Sequence, residues 1–147
     1  MPPDQARTGP FRIVLVEDAE PDVILVREAL ESNHLTFDLH VLEDGEQAVE
    51  YLERLDRDGT DTPPHLFLLD LNLPRKSGDQ VLQRLRQSPK WNHIPVVILT
   101  SSDSPRDKAK ASQYQVTEYF RKPSRLEEFM KLGVLVGQLL HSAEAPK

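Results

Sequence analysis

The sequence predicts an α/β domain built on a doubly wound five-stranded parallel sheet, a (βα)5 unit with strand order 2-1-3-4-5. Three observations carry that expectation. Apolar runs of strand length alternate with amphipathic stretches of helix length, five of each, as in a parallel sheet wrapped by helices rather than an all-β domain or a bundle. The runs FRIVLV, LFLLD and VVILT are apolar nearly throughout, which suits central strands covered on both faces. Leu, Ile, Val and Phe supply 42 of the 147 residues, well above the roughly one-fifth below which charged chains tend to stay disordered.

The first strand is expected over Phe11 to Val16, followed by a helix with Pro21 at its first position and Val23, Val26 and Leu30 facing inward. The second strand, Phe37 to Leu42, precedes a helix after Gly45 with Ala48, Val49, Leu52 and Leu55 on its buried stripe. Arg57 to Pro64 (RDGTDTPP) is a cluster of turn formers and reads as a loop. The third strand runs from His65 to Asp70 and its helix from Gly78 to Gln87; the fourth strand from Pro95 to Thr100, with a helix from about Pro105. Thr117 to Arg121 forms the fifth strand, and a final helix covers Ser124 to His141. Residues 1–10 and 142–147 read as disordered arms around one domain, 11–141.

Composition removes several function classes. The longest apolar run, Leu132 to Leu140, is about half of the ~20 residues that span a bilayer, and the first ten residues hold no apolar segment of a secretory signal. A cytoplasmic protein without membrane attachment is expected. With no cysteine there is no disulfide or thiolate chemistry, and the five histidines show no i, i+4 pair for zinc. A net charge of −6 argues against a sequence-independent grip on nucleic acid. The basic clusters Arg84, Arg86, Lys90; Lys108, Lys110; and Arg121, Lys122, Arg125 read as solvated faces. Trp91 reads as a packing plug, the histidines as surface residues, and Gly133 with Gly137 as weak evidence of close helix approach.

Ligands of such sheets bind beyond the carboxyl ends of the strands, so the residues standing there are the informative ones. The first strand ends in Glu17-Asp18, the third in Asp70, the fourth in Thr100-Ser101-Ser102, and the fifth runs into Lys122-Pro123. Glu17, Asp18 and Asp70 brought together repel one another, and a divalent cation resolves this. Hard oxygen ligands too few for a calcium cage point to Mg²⁺. With Lys122 and the metal balancing three acids, the site can accept a phosphoryl group, and Asp70 is the candidate nucleophile, with Thr100 and Ser101 as donors to the product.

VLVEDAEPD, FLLDLNLPRKSG, VVILTSS and YFRKP together resemble the receiver domain of bacterial two-component response regulators, the CheY-like relative of the flavodoxin-like folds. The resemblance spans about residues 11–141, and the LDLNLPRKSG string with the Pro-Pro loop is most similar to stand-alone regulators associated with bacterial phytochromes. It implies a phosphoprotein whose Asp70 is the phosphoacceptor, with Asp18 as direct Mg²⁺ ligand and Glu17 acting on the metal through water. It implies further that Asn72 lends its backbone carbonyl to the metal, that Thr100 and Lys122 bind the phosphoryl group, that Tyr119 changes rotamer, and that Pro123 holds the Lys122 loop through a cis bond. The donor would be a sensor histidine kinase, of bacteriophytochrome type, and the output a contact with a downstream protein. Gln115-Val116 departs from the usual Gly-Ala before the fifth strand, so either the turn takes another shape there or strain of about 1 kcal/mol is tolerated.

Two other functions compete. A haloacid dehalogenase-like phosphatase shares the core, the metal and the nucleophilic Asp but wants a second Asp two residues later, where this chain has Asn72. A non-phosphorylated pseudo-receiver scaffold would not need every site group. Finally, the last helix has more apolar residues than one stripe: beside Leu126, Phe129, Gly133, Val136 and Leu140 stand Met130, Leu132, Val134, Leu135 and Leu139. The surplus predicts a homodimer through the fifth strand and this helix.

Overall fold

The computed structural model describes residues 9–58, 63–101 and 105–144. The expected arm through residue 8, the centre of the Arg57–Pro64 loop, Ser102 and the last three residues lie outside that description. The strands are β1 (Phe11–Val16), β2 (Phe37–Leu42), β3 (Leu66–Asp70), β4 (Val96–Thr100) and β5 (Glu118–Arg121), all parallel in the order β2-β1-β3-β4-β5. The fold class and order are those expected. β3, β4 and β5 each begin one residue later than the apolar pattern indicated, within the usual spread of strand ends.

The helices are α1 (Glu20–Ser32), α2 (Gly45–Asp58), α3 (Gly78–Gln87), α4 (Pro105–Ser112), α5 (Leu126–Phe129) and α6 (Lys131–Glu144). Alternation along β1 divides the core. Ile13 and Leu15 face a layer with Val26, Leu30, Phe129, Leu132 and Val136 from α1, α5 and α6, while Val14 and Val16 face Ala48, Leu52, Val81, Leu82 and Ala111 from α2, α3 and α4. α3 starts where Ser77 donates its N–H to Gln80 Oε1 at 2.9 Å and its hydroxyl to Asp79 Oδ1 at 2.6 Å, side-chain bonds of the kind that begin helices. Trp91 is a half-buried plug on the α2–α4 side, as expected.

The final helix does not run unbroken, and it ends at Glu144, inside the expected disordered tail, rather than at His141. It is interrupted at Met130, where Gly133 donates its N–H to the Met130 carbonyl three residues back (3.1 Å), so the ladder tightens locally. The inward stripe is Phe129, Leu132, Val136 and Leu140. Leu132, expected outside it, is fully buried, and Leu126, expected inside, is 54% exposed because it opens a one-turn helix with no preceding turn over it. The glycine spacing has a direct cause. A Cβ on Gly133 would lie 2.0 Å from the Ala29 carbonyl oxygen, so that position must be bare for α6 to lie on α1, whereas one on Gly137 would meet only the end of the Asn33 side chain, at 2.5 Å. Asn33 Nδ2 donates to the Gly133 carbonyl across that contact at 3.0 Å.

Of the basic residues read as solvated, Arg84 and Arg86 are engaged in loop and helix contacts instead, as Lys122 is at the strand ends. Arg84 Nη2 binds Asp56 Oδ2 at 2.6 Å. Arg86 donates from Nε to the Tyr114 carbonyl (2.7 Å), from Nη1 to those of Asn92 (2.7 Å) and Ile94 (2.8 Å), and from Nη2 to that of Gln115 (2.7 Å). Gln115 has φ of 60°, so of the two alternatives the strained turn is the one adopted, and the guanidinium holds it. Four histidines are exposed as expected, but His65 is half-buried and its Nδ1 accepts the Arg12 N–H at 2.9 Å.

Candidate functional site

Register places the polar strand ends on one edge. Val16 pairs with Leu42 and Leu69, Asp70 with Leu99, and Thr100 with Arg121, so Glu17, Asp70, Thr100 and Lys122 stand side by side where the chain leaves the sheet. Glu17 keeps its N–H on the Leu42 carbonyl (2.9 Å) and accepts the Ala19 N–H through Oε2 (3.1 Å), which fixes it at the mouth of α1. Asp70 accepts the Asn72 N–H through Oδ1 at 2.9 Å. Lys122 donates its own N–H to the Thr100 carbonyl at 2.8 Å and sends its side chain back over the strand ends.

The Lys122 ammonium is the centre of the cluster. Its Nζ lies 2.6 Å from Glu17 Oε1, 2.8 Å from Asp22 Oδ2 and 3.0 Å from Asp70 Oδ2, with the side chain only 9% exposed. Glu17, Asp18 and Asp70 each offer a carboxylate oxygen, all within 4.8 Å of one another. Glu17 and Asp70 are buried and Asp18 is exposed. Burial, abetted by the charge of Asp70, pushes the Glu17 carboxyl up to about 7 despite its bond to Lys122. Burial alone would lower Lys122, but the hydrogen bonds it donates to Asp22 and Glu17 and the charge of Asp70 outweigh it and hold the ammonium above its ordinary range. Four carboxylates against one ammonium leave a negative site of hard oxygens, a donor set that suits a small divalent cation.

The loop after Asp70 is held from outside. Gly45 donates its N–H to the Pro74 carbonyl at 3.3 Å, and a Cβ there would lie 1.8 Å from the Lys76 carbonyl oxygen. Arg75, with φ of 71°, lies 3.4 Å from Asp44. Two loops thus dock to support the segment carrying Asn72.

Every expected site residue stands at this edge or leads from it. Thr100 is buried, Ser101 exposed, and Pro123 half-buried after Lys122. Tyr119 is half-buried against the α2–α4 core, and its hydroxyl donates to the Lys108 carbonyl of α4 at 3.0 Å. The Lys122–Pro123 bond is trans rather than cis, the form most X–Pro bonds prefer. Sequence reasoning missed Asp22. Its signal was available, for it is one of two acids in the first turn of α1, the helix that starts directly after the Glu17-Asp18 strand end.

A family model described as the response regulator receiver domain matches residues 13–132. The response regulator Rcp1 of Synechocystis is 37% identical over 123 residues, 84% of each chain. A probable methanogenesis regulatory protein, FilR2 of Methanothrix harundinacea, is 38% identical over 83% of this chain and 78% of its own. The crystal structure of the Mn²⁺-bound form of Rcp1 superposes with a TM-score of 0.80 at 34% identity, covering 94% of this chain and all of that one. That of the phosphorylated cyanobacterial phytochrome response regulator RcpA does so at 0.80 and 30%, covering 92% and 96%. Among the described residues no helix is long and apolar enough to cross a membrane.

Proposed function

The chain belongs to the response regulator receiver domain family, and from that premise we propose that it is a receiver switch of a two-component phosphorelay, phosphorylated on Asp70 in a Mg²⁺-dependent reaction. The observation that carries this is the Lys122 ammonium bridging Glu17 and Asp70 beside Asp18. Asp70 Oδ attacks the phosphorus of a phosphohistidine; the new O–P bond forms as the N–P bond breaks, and the electron pair returns to the imidazole. Asp18, Asp70 and the Asn72 backbone carbonyl would hold the metal, with Glu17 acting on it through water. Lys122 and Thr100, with Ser101, receive the phosphoryl oxygens, whose charge Mg²⁺ bound there would help to neutralise. The chain catalyses only its own phosphorylation and dephosphorylation. Incubation with a small-molecule phosphodonor with and without Mg²⁺, followed by intact mass and site mapping, tests this; no added phosphoryl mass with Mg²⁺ present rejects it.

The buried Glu17 carboxyl gives the metal a pH dependence. Because its value is raised from 4.5 to about 7, its contribution to the stability of the metal-free fold is complete below 4.5 and lost as pH rises through 7. Bound metal needs the anion, so a proton competes with it below 7. Mg²⁺ affinity measured by calorimetry should climb between pH 5.5 and 7.5 and then level, and Asp18→Ala should lower it about tenfold or more at every pH. A flat profile or an unchanged Asp18→Ala affinity contradicts the assignment.

Output follows from Tyr119. Thr100 drawn toward the phosphoryl group vacates space that Tyr119 fills, and the Tyr119 bond to the Lys108 carbonyl is given up, which frees α4. The donor is a sensor histidine kinase, and likeness to the phytochrome response regulator RcpA and the bacteriophytochrome response regulator RtBRR favours one of bacteriophytochrome type. The switched surface is read by a downstream protein and by a second copy of the chain. The apolar surface left for a homodimer through β5, α5 and α6 is narrower than the sequence indicated: Leu126 and Val134 are exposed, while Met130, Leu135 and Leu139 are half-buried against the core. Light scattering at tens of micromolar should give a dimer in at least one phosphorylation state; a monomer in both removes it.

A further inference from the structure

We propose that Asp22 is a positioning residue that competes with the phosphoryl group for Lys122, so that phosphorylation of Asp70 exchanges one lysine partner for another; this rests on the reading of Asp70 as phosphoacceptor. An ammonium carries three hydrogens, and Lys122 Nζ has three carboxylate acceptors, Glu17 at 2.6 Å, Asp22 at 2.8 Å and Asp70 at 3.0 Å. A phosphoryl group on Asp70 brings three strong acceptor oxygens and a charge of about −2. It takes over the hydrogen that the Asp70 carboxylate gives up and, with more charge and more acceptor oxygens than that carboxylate, draws the ammonium away from its other two partners.

Which bond yields is decided by burial. Glu17 is 1% exposed, and a buried carboxylate stripped of its cation has no water to replace it. The Asp22 side chain is 29% exposed, so solvent can take the place of the ammonium. It also lies in the first turn of α1, with its N–H on the Ala19 carbonyl at 3.0 Å, where the helix N-terminus favours a negative charge left on its own. Asp22 is not among the three carboxylates clustered closely enough to share a metal. Its reach into the site is through Lys122, and its presence weakens the hold of the site on a phosphoryl group.

The test is titration of the full chain at saturating Mg²⁺ with beryllofluoride, an anion that takes the place of the phosphoryl group on a carboxylate. Asp22→Asn should bind it about three- to tenfold tighter than wild type, the range for a partly exposed charged pair. Asp22→Glu, which restores a competing carboxylate, should return toward wild type. In the Lys122→Gln background Asp22→Asn should bring no gain. Since Lys122→Gln strips buried Glu17 of its cation and can cost the fold, a second measurement repeats the Asp22→Asn comparison in about 0.5 M salt, where the screening length is about 4 Å. A gain acting through the close Lys122 contact persists there. Unchanged or weaker binding by Asp22→Asn, a gain of equal size without Lys122, or a gain abolished by salt overturns the proposal. Absence of beryllofluoride binding in the wild type overturns the phosphoacceptor reading itself, a result distinct from a wild type that binds and an Asp22→Asn variant that binds no better.

Discussion

Asp70→Asn is expected to abolish phosphorylation outright while leaving the fold intact. The carboxylate is 6% exposed and held at both oxygens, Oδ1 by the Asn72 N–H and Oδ2 by Lys122. An amide of the same shape keeps the first bond through its carbonyl oxygen but cannot act as the attacking anion. The substitution also takes one negative charge out of a crowded site. Asp70 is among the groups that raise the Glu17 carboxyl, so that value should fall toward the ordinary range, and the metal-free variant should be no less stable than wild type near pH 7. Intact mass after exposure to a phosphodonor and Mg²⁺ reads the first effect, and thermal melting without metal reads the second. A wild-type gain of phosphoryl mass in Asp70→Asn would move the acceptor elsewhere.

Strand ends made the centre of this site legible. Glu17, Asp18, Asp70, Thr100 and Lys122 follow runs whose apolar character leaves little choice of element, and the topology brings such ends to one edge whatever the intervening sequence. The same reasoning passed over Asp22, because it sits inside a helical pattern rather than at a strand end. Its role comes from the reach of a lysine one hundred residues away in sequence. Helix packing was legible by half. Gly133 and Gly137 signalled close approach, but that the stripe of α6 includes Leu132 and leaves Leu126 in solvent depends on the break at Met130, and no single residue type there marks one. The dimer patch was overestimated for the same reason: a count of apolar residues beyond one stripe does not register that Met130, Leu135 and Leu139 pack at its margins.

The departure at Gln115 shows how a local rule and a distant residue compensate. A non-glycine with φ of 60° is strained by about 1 kcal/mol, and nothing nearby in sequence relieves it. Arg86, read as part of a solvated basic cluster, supplies the remedy from α3 by tying the Tyr114 and Gln115 carbonyls to those of Asn92 and Ile94. Arg86→Ala should therefore be among the most destabilising changes to any charged residue outside the site. Its bonds to Tyr114 and Ile94 are partly buried, and losing two charge-assisted bonds of that kind costs about 3 kcal/mol, or roughly 6–12 °C in melting temperature for a domain of this size. Arg86→Lys should recover little, since one ammonium cannot present a planar fork to four carbonyls. Gln115→Gly should stabilise the wild type by up to about 1 kcal/mol and recover part of the loss in Arg86→Ala, because a glycine turn needs less holding. Denaturant melts of the four proteins check this; additive effects would mean that Arg86 steadies the Asn92 and Ile94 loop alone and that the Gln115 turn stands without it.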